Sequence, residues 1–252
     1  MASRYFQPGA ERSAGVHALF SRIARRYDRI NDVQSLGLQR GWKRRLVRLA
    51  APQPGQTVLD LCCGTGDIAF RLSRPGLRVV GADFNLAMLG VARTRQEGAT
   101  ARRISARSNA TPPGGRDVRF VAADGMRLPF VDGAFDLVTI SYGLRNLPDI
   151  RAGLRELHRV LRPGGRLLVL DFGKPANRFW RAIYFAYLRG LVPLFGRVFC
   201  GDADAYGYIL ESLRAYPSAP ELAAQMAEAG WIDLRVHAIL GGIMAIHEGR
   251  RA

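Results

Sequence analysis

Asp60, Asp83 and Asp124 each end or adjoin a short apolar run, in "VLDLCCGTGD", "LRVVGAD" and "VRFVAAD". A fourth run, "FDLVTISY", closes on Ser141 and Tyr142. Ionised carboxylates only accept hydrogen bonds, so at these positions they suit a ligand that presents hydroxyls, amines or positive charge. In the first run Gly64 and Gly66 let the backbone turn sharply and approach a ligand with no Cβ in the way. The turn is neither the GxGxxG cradle of a pyrophosphate nor a P-loop, because no Gly-Lys-Ser/Thr follows it.

Asp83 follows Gly66 by seventeen residues, where a carboxylate accepts both hydroxyls of a ribose and disfavours a 2′-phosphate by charge. Asp124 beside the backbone N–H of Gly125 offers the acceptor and donor that an adenine edge requires. The glycine turn (Asp60, Gly64, Thr65, Gly66), the ribose carboxylate, the adenine reader and the polar end at Ser141 describe a nucleoside site without a phosphate requirement. S-adenosylmethionine has that chemistry and is the expected cofactor. The adjacent thiols of Cys62 and Cys63 have neither zinc-site nor disulfide-framework spacing, and the third cysteine, Cys200, is far along the chain. They read as small, reduced side chains that fit the turn. His17, His158 and His247 lack the spacing of a metal site, so no metal is expected.

The elements that must carry these residues alternate. Strand-length runs ("TVLDLC", "RVVGAD", "VRFVAAD", "FDLVTISY", "GRLLVLDF") are separated by helical patterns, which predicts an α/β fold with a mostly parallel sheet and helices on both faces. In such a sheet ligands bind beyond the carboxyl ends of the strands, where the aspartates fall. Upstream, "AGVHALFSRIARRYDRIN" reads as one amphipathic helix and "LQRGWKRRLVRLAA" as another, stopped by "PQPG". The polar stretch 97–117 reads as a surface loop. The segment "NRFWRAIYFAYLRGLVPLFGRVF" has helical pattern, but its arginines and Pro193 exclude a membrane span. The tail reads as helix, strand, turn and antiparallel strand. One domain over 1–252 is expected, with an N-terminal helical lid (1–51) and a cofactor-binding core (56–172). A helical substrate- or membrane-facing insertion (175–218) and a C-terminal helix with a strand pair (219–249) complete it.

The formal charge of +16 arises from 37 basic and 21 acidic residues. Residues 1–50 hold eleven basic groups against three acidic, and residues 174–200 hold five against none. Such surfaces meet nucleic acid, anionic lipid or an acidic substrate. An exocyclic-amine methyltransferase would carry an Asn/Asp-Pro-Pro-Tyr type segment after the fourth strand; "SYGLRN" stands there instead, and no Pro-Cys dipeptide supplies a cytosine-attacking thiolate. No nucleic acid is therefore expected as partner. A methyltransferase acting on RNA or another small molecule, or a basic binding protein on the same fold, is the competing reading. No N-terminal apolar segment is present, and a cytoplasmic protein is expected.

The glycine motif "DLCCGTG" resembles the first motif of class I S-adenosylmethionine-dependent methyltransferases, with Cys62 where the first glycine stands, a departure that predicts a slightly less tight turn. "YDRINDVQSLGLQRGWKRRL", "ISYGLRNLPD", "ELHRVLRPGGRLLVLDFGKP", "GDADAYGYILESLRAYP" and "GGIMAIHEG" resemble, in order, segments of the ubiquinone/menaquinone biosynthesis C-methyltransferase family. The resemblance implies a Rossmann-like seven-stranded fold. It also implies methyl transfer to a ring carbon of a reduced polyprenyl quinone precursor, a demethylmenaquinol or its benzoquinol counterpart. Cofactor contacts carry over onto Thr65, Asp83, Asp124 with Gly125, and Ser141. Arg145 is the candidate to stabilise a developing phenolate, with Asn146 on the same oxygen; the structural alternative pairs Arg145 with Asp149 or Glu156. Asp202 and Tyr206, four apart in "GDADAYGY", are candidates to serve as a base and to cover the substrate ring. A substrate that lives in the bilayer implies peripheral contact with the cytoplasmic membrane face through the basic N-terminal helices and the 179–199 segment.

Overall fold

The computed structural model describes residues 10–106, 118–200, 210 and 212–252. Helix α1 (Ala10–Ile23) does not run on as the one helix expected; a 3-10 turn at Ala24–Arg26 breaks it from α2 (Tyr27–Gln34). The break lets Val16 and Leu19 of α1 and Ile30 of α2 pack into one cluster with Tyr184, Leu188 and Leu213. Helix α3 (Gln39–Ala50) ends where Ala51 takes a left-handed conformation just before Pro52, which cannot continue a helix.

Among the described residues seven strands follow: β1 (Thr57–Leu61), β2 (Arg78–Asp83), β3 (Val118–Ala122), β4 (Phe135–Ser141), β5 (Leu161–Phe172), β6 (Trp231–Ile239) and β7 (Met244–Arg251). They form one sheet in the order β3-β2-β1-β4-β5-β7-β6. Strands β1 to β5 pair in parallel, and β7 runs antiparallel to both β5 and β6. Helices α4 (Asp67–Leu72), α5 (Leu86–Ala106), α6 (Ile150–Val160), α7 (Arg178–Cys200) and α8 (Ala219–Glu228) connect or flank them. Alternation along the strands buries both faces. Leu59, Val138 and Val169 face the α6 side with Leu154 and Leu157, whereas Val58, Leu137 and Leu168 face Leu46 of α3 and Ile68 of α4. Strand order reverses direction between β1 and β4, so the crevice at the carboxyl ends opens between their tips.

Two expectations change in detail. Residues 97–106 of the polar stretch continue α5 rather than forming a loop, and 107–117 lie outside the described residues. Ala, Arg and Glu, which make up six of these ten residues, are good helix formers, and a helix already docked on the sheet needs no apolar stripe to extend past it. Among the described residues no helix is long and apolar enough to cross a membrane.

Candidate functional site

A cavity of about 210 Å³ lies at the carboxyl ends of β1, β2 and β4. Asp60, Gly64, Thr65 and Asp83 border it on one side, and Asp124, Gly125, Ser141 and Asn146 on the other. Gly66 does not line it. It takes φ 82° at the start of α4, where a Cβ would come within 2.9 Å of Phe70 and 3.0 Å of Phe120, so its role is to start the helix. Asp202 and Tyr206 lie outside the described residues.

Register places Asp60 opposite Thr139 on the neighbouring strand, and Thr139 Oγ1 donates to Asp60 Oδ1 at 2.8 Å. Asp60 Oδ2 has no partner, although the residue is 1% exposed. Burial pushes this carboxyl up to about 7, against the opposing hydrogen bond from Thr139. Asp83 is braced at the end of β2: Oδ2 accepts the Gly64 N–H and Oδ1 the Asn85 N–H, both at 2.8 Å. Burial raises its pKa, and these two backbone donors oppose the rise. Asp124 is exposed, its Oδ1 accepting the Met126 N–H at 2.9 Å. Ser141 Oγ, like Asp60 Oδ2, is buried without a partner. A nucleoside carrying an ammonium and a sulfonium fits this donor set, because orphaned buried acceptors and braced carboxylates are matched by the hydroxyls and positive charge such a ligand brings.

The thiols take no part in that set. Burial, with Asp83 and Asp60 close by, holds Cys62 and Cys63 well above the usual thiol range, so both remain protonated rather than nucleophilic. Cys62 does not relax the turn as expected: it adopts φ 55°, the left-handed conformation that glycine takes without strain.

Several site residues escape sequence reasoning because they come from the N-terminal helices. Tyr27, Asp28 and Lys43 border the cavity from α2 and α3. Thr65 Oγ1 donates to Asp28 Oδ2 at 2.9 Å, and Arg95 Nη1 donates to the same oxygen at 2.7 Å and to the Thr65 carbonyl at 3.1 Å. Asn85 Nδ2 donates to the His17 carbonyl and Ser21 Oγ, both at 2.9 Å, fastening α1 above β2. Lys43, 5% exposed, donates to Asp67 Oδ2 at 3.0 Å, which with Arg71 holds that carboxyl below the usual range despite its burial. The one signal in the sequence is the "YDRIND" segment, whose aspartates offer polar contacts on a helix that also buries apolar residues.

A second cavity, about 430 Å³ and walled mainly by apolar and aromatic side chains, lies beside the first. Tyr27 and Tyr142 border both. Burial drives the Tyr142 phenol well above its usual pKa, and this residue too sits at positive φ, 59°. Arg145 lines the second cavity and is paired, but with neither Asp149 nor Glu156. Its Nη1 donates to Asp171 Oδ1 at 2.6 Å and to the Tyr142 carbonyl at 2.9 Å, with the guanidinium 4.8 Å over the Phe172 ring. Asp149 caps α6 through the Ala152 N–H, and Glu156 pairs with Arg159. His158 packs edge-on against Trp231, as a structural histidine does.

Residues 9–251 match the ubiE/COQ5 methyltransferase family. A demethylmenaquinone methyltransferase of Thermus thermophilus is 43% identical over 235 residues, covering 92% of this chain and all of that one. A ubiquinone/menaquinone biosynthesis C-methyltransferase UbiE of Ectopseudomonas mendocina is 40% identical over 247 residues, covering 96% of this chain and 91% of the relative. Among solved structures, a SAM-dependent methyltransferase of Thermotoga maritima superposes with a TM-score of 0.65 at 18% identity, covering 93% of this chain and 99% of its own.

Proposed function

This chain belongs to the ubiE/COQ5 methyltransferase family, and from that premise we propose that it methylates a ring carbon of a demethylmenaquinol, using S-adenosylmethionine. A benzoquinol counterpart is the second ring type, since relatives such as the Ectopseudomonas protein are named for ubiquinone as well as menaquinone biosynthesis. The observation that carries the reading is the pair of abutting cavities, one polar at the strand ends and one apolar, that share only Tyr27 and Tyr142 as walls among the described residues. A charged nucleoside and an apolar ring substrate need two such compartments meeting at one point.

S-adenosylmethionine would supply an electrophilic methyl on a sulfonium; in net terms a C–S bond is exchanged for a C–C bond, and the ring proton that the methyl replaces is released to solvent. Asp60 receives the ammonium, Asp83 the ribose hydroxyls, Asp124 with Gly125 the adenine edge, and Ser141 a remaining polar edge. Arg145 stabilises the ring phenolate that makes the carbon nucleophilic; Asn146, expected on the same oxygen, borders the polar cavity and not the apolar one. Helices α1 and α2 act as the lid, clasped by Asp28 and Asn85, and exclude water from the transfer. Holding the two reactants in line can account for about 7–11 kcal/mol of barrier lowering, so positioning carries a large share of the catalysis. The test mixes purified protein with methyl-labelled S-adenosylmethionine and either a reduced demethylated naphthoquinol, a benzoquinol or bulk RNA. Label in a quinol is the expected result; label in RNA, or in nothing, sinks the proposal.

Asp60 gives a pH signature. With its folded pKa near 7 against 3.8 unfolded, it contributes stability fully below pH 3.8 that is lost as pH rises through about 7. A cationic ligand binds the charged form, so cofactor affinity should rise about tenfold per pH unit below that pKa and level off above it. Calorimetric titration between about pH 5.5 and 7.5 reads this, and Asp60→Asn should flatten the slope. A parent affinity that does not change over this range contradicts the assignment.

Membrane contact belongs to the same proposal. Phe179 and Leu36 are 76% and 74% exposed, and Trp180, Ile183 and Leu240 are exposed at the rim of the apolar cavity. Arg178, Arg181 and Arg189 stand exposed along the same helix, α7, without an acidic residue between them. Arginine beside anionic headgroups adds about 1 kcal/mol each near the surface. Vesicles containing phosphatidylglycerol should sediment the protein at low salt, and Phe179→Glu with Ile183→Glu should release it. Equal retention of parent and variant would refute this rim as the contact.

A further inference from the structure

Polar atoms that are buried without a partner are costly, and a group of them around one cavity marks where a ligand completes the hydrogen bonding. Among the described residues, Gln34 Nε2, Gln39 Oε1, Tyr142 OH and Tyr184 OH are all buried, all lack a partner and all belong to residues that border the apolar cavity. Gln39 is the most constrained of the four. It is 4% exposed, and its Nε2 donates to Asp32 Oδ1 at 2.9 Å and to the Asp28 carbonyl at 3.3 Å. A carbonyl accepts only, and so does the Asp32 carboxylate, which Arg40 holds below the usual carboxylate range. The amide therefore cannot flip, and Oε1 is fixed as an acceptor with nothing to accept from.

We infer that Gln39 Oε1 accepts the proton of a ring hydroxyl of the bound substrate, so that this wall of the cavity selects the reduced 1,4-dihydroxy ring over the oxidised quinone. Asp32 positions it. The inference rests on the quinol reading above and goes beyond it by naming the group that reads the ring's redox state. A quinol hydroxyl donates and accepts, so it satisfies Gln39 Oε1 and keeps its lone pairs turned away from that acceptor. A quinone carbonyl only accepts, so it sets its lone pairs against Gln39 Oε1 and leaves that buried acceptor unsatisfied. The selection serves the chemistry, because only the reduced ring is nucleophilic and an oxidised ring would occupy the cavity without reacting.

The experiment is an anaerobic titration of the S-adenosylhomocysteine-loaded protein with 1,4-dihydroxynaphthalene and, separately, 1,4-naphthoquinone. The parent should prefer the diol by about tenfold or more. Gln39→Leu should bring the two affinities to within about twofold by weakening the diol and not the quinone. Asp32→Asn, whose amide lets Gln39 turn over, should lower the ratio as well. Unchanged S-adenosylhomocysteine affinity in each variant certifies the fold, and the Asp32 variant carries the test if the Gln39 variant does not fold. A parent without preference, or a preference that survives both substitutions, overturns this inference and leaves the methylation reading intact. A parent that binds neither ring overturns both.

Discussion

Asp171→Ala should unfold at markedly lower urea than the parent, by about 3–5 kcal/mol, although Asp171 lines neither cavity. The reason is the pair it forms. Asp171 is 2% exposed and Arg145 6%, and the carboxylate takes the Arg145 side chain on Oδ1 together with the Phe172 N–H at 2.8 Å. Removing the carboxylate takes a buried countercharge, 2.6 Å away, from a guanidinium in a nearly dry environment, where the penalty is the desolvation of that charge rather than the modest net worth of the pair. Against a total stability of about 5–15 kcal/mol, that is a large fraction.

Arg145→Met should cost a similar amount for the mirror-image reason, so stability alone does not separate a structural arginine from one that acts on the substrate. The double variant Asp171→Leu with Arg145→Met does. With both charges gone neither ion is left unpaired by loss of the other, and urea stability should recover a large part of what either single variant loses. On the proposed role turnover should not recover, because the donor assigned to the phenolate is still missing; loss of one such donor costs about 10²–10³ in rate. A refolded double variant that methylates at the parent rate would leave Arg145 with a purely structural role. Single variants within about 1 kcal/mol of the parent would show that the pair is not buried as described.

The same pair shows what sequence could and could not supply. The carboxyl ends of β1, β2 and β4 were legible, because a parallel sheet fixes where strand ends lie and the residue types there have few other uses. The partner of Arg145 was not: Asp149 and Glu156 are near in sequence, whereas Asp171 is brought over by the parallel pairing of β4 with β5, in which Ser141 stands opposite Leu170. Tyr27, Asp28 and Gln39 were missed for a related reason. Their helices read as amphipathic, but which cavity an amphipathic helix covers is decided by tertiary packing, here through Asn85 and Thr65 on loops far along the chain. The break between α1 and α2 was hidden because an apolar spacing of three and four persists through Ala24–Arg26 while the axis turns.

Gly143→Ala should damage both stability and cofactor binding, and Cys62→Gly should rescue it. A Cβ at Gly143 would stand 2.4 Å from Cys62 Cβ and 2.7 Å from its Sγ, with Ile140 Cγ1 next at 3.2 Å. A Cβ cannot be swung aside by a rotamer change, so the clash must be relieved by moving backbone, either the turn after β1 or the segment between Ser141 at the end of β4 and Arg145. Overpacking of that kind costs about 1–3 kcal/mol. Cys62→Gly alone should be close to neutral: it removes a left-handed non-glycine residue worth about 1–2 kcal/mol of strain, and returns a comparable amount as lost contacts and greater freedom of the unfolded chain. In that background the nearest of these atoms left is Ile140 Cγ1 at 3.2 Å, so the two substitutions should couple by about 1–3 kcal/mol in a urea double-mutant cycle. S-adenosylmethionine affinity should follow the same pattern, falling in the single Gly143 variant and returning in the double. Additivity within about 0.5 kcal/mol would mean that the two residues do not meet. Coupling would mean that the thiol side chain, idle in the chemistry, fixes glycine at position 143, and that two strand ends are matched to each other as closely as either is to the cofactor.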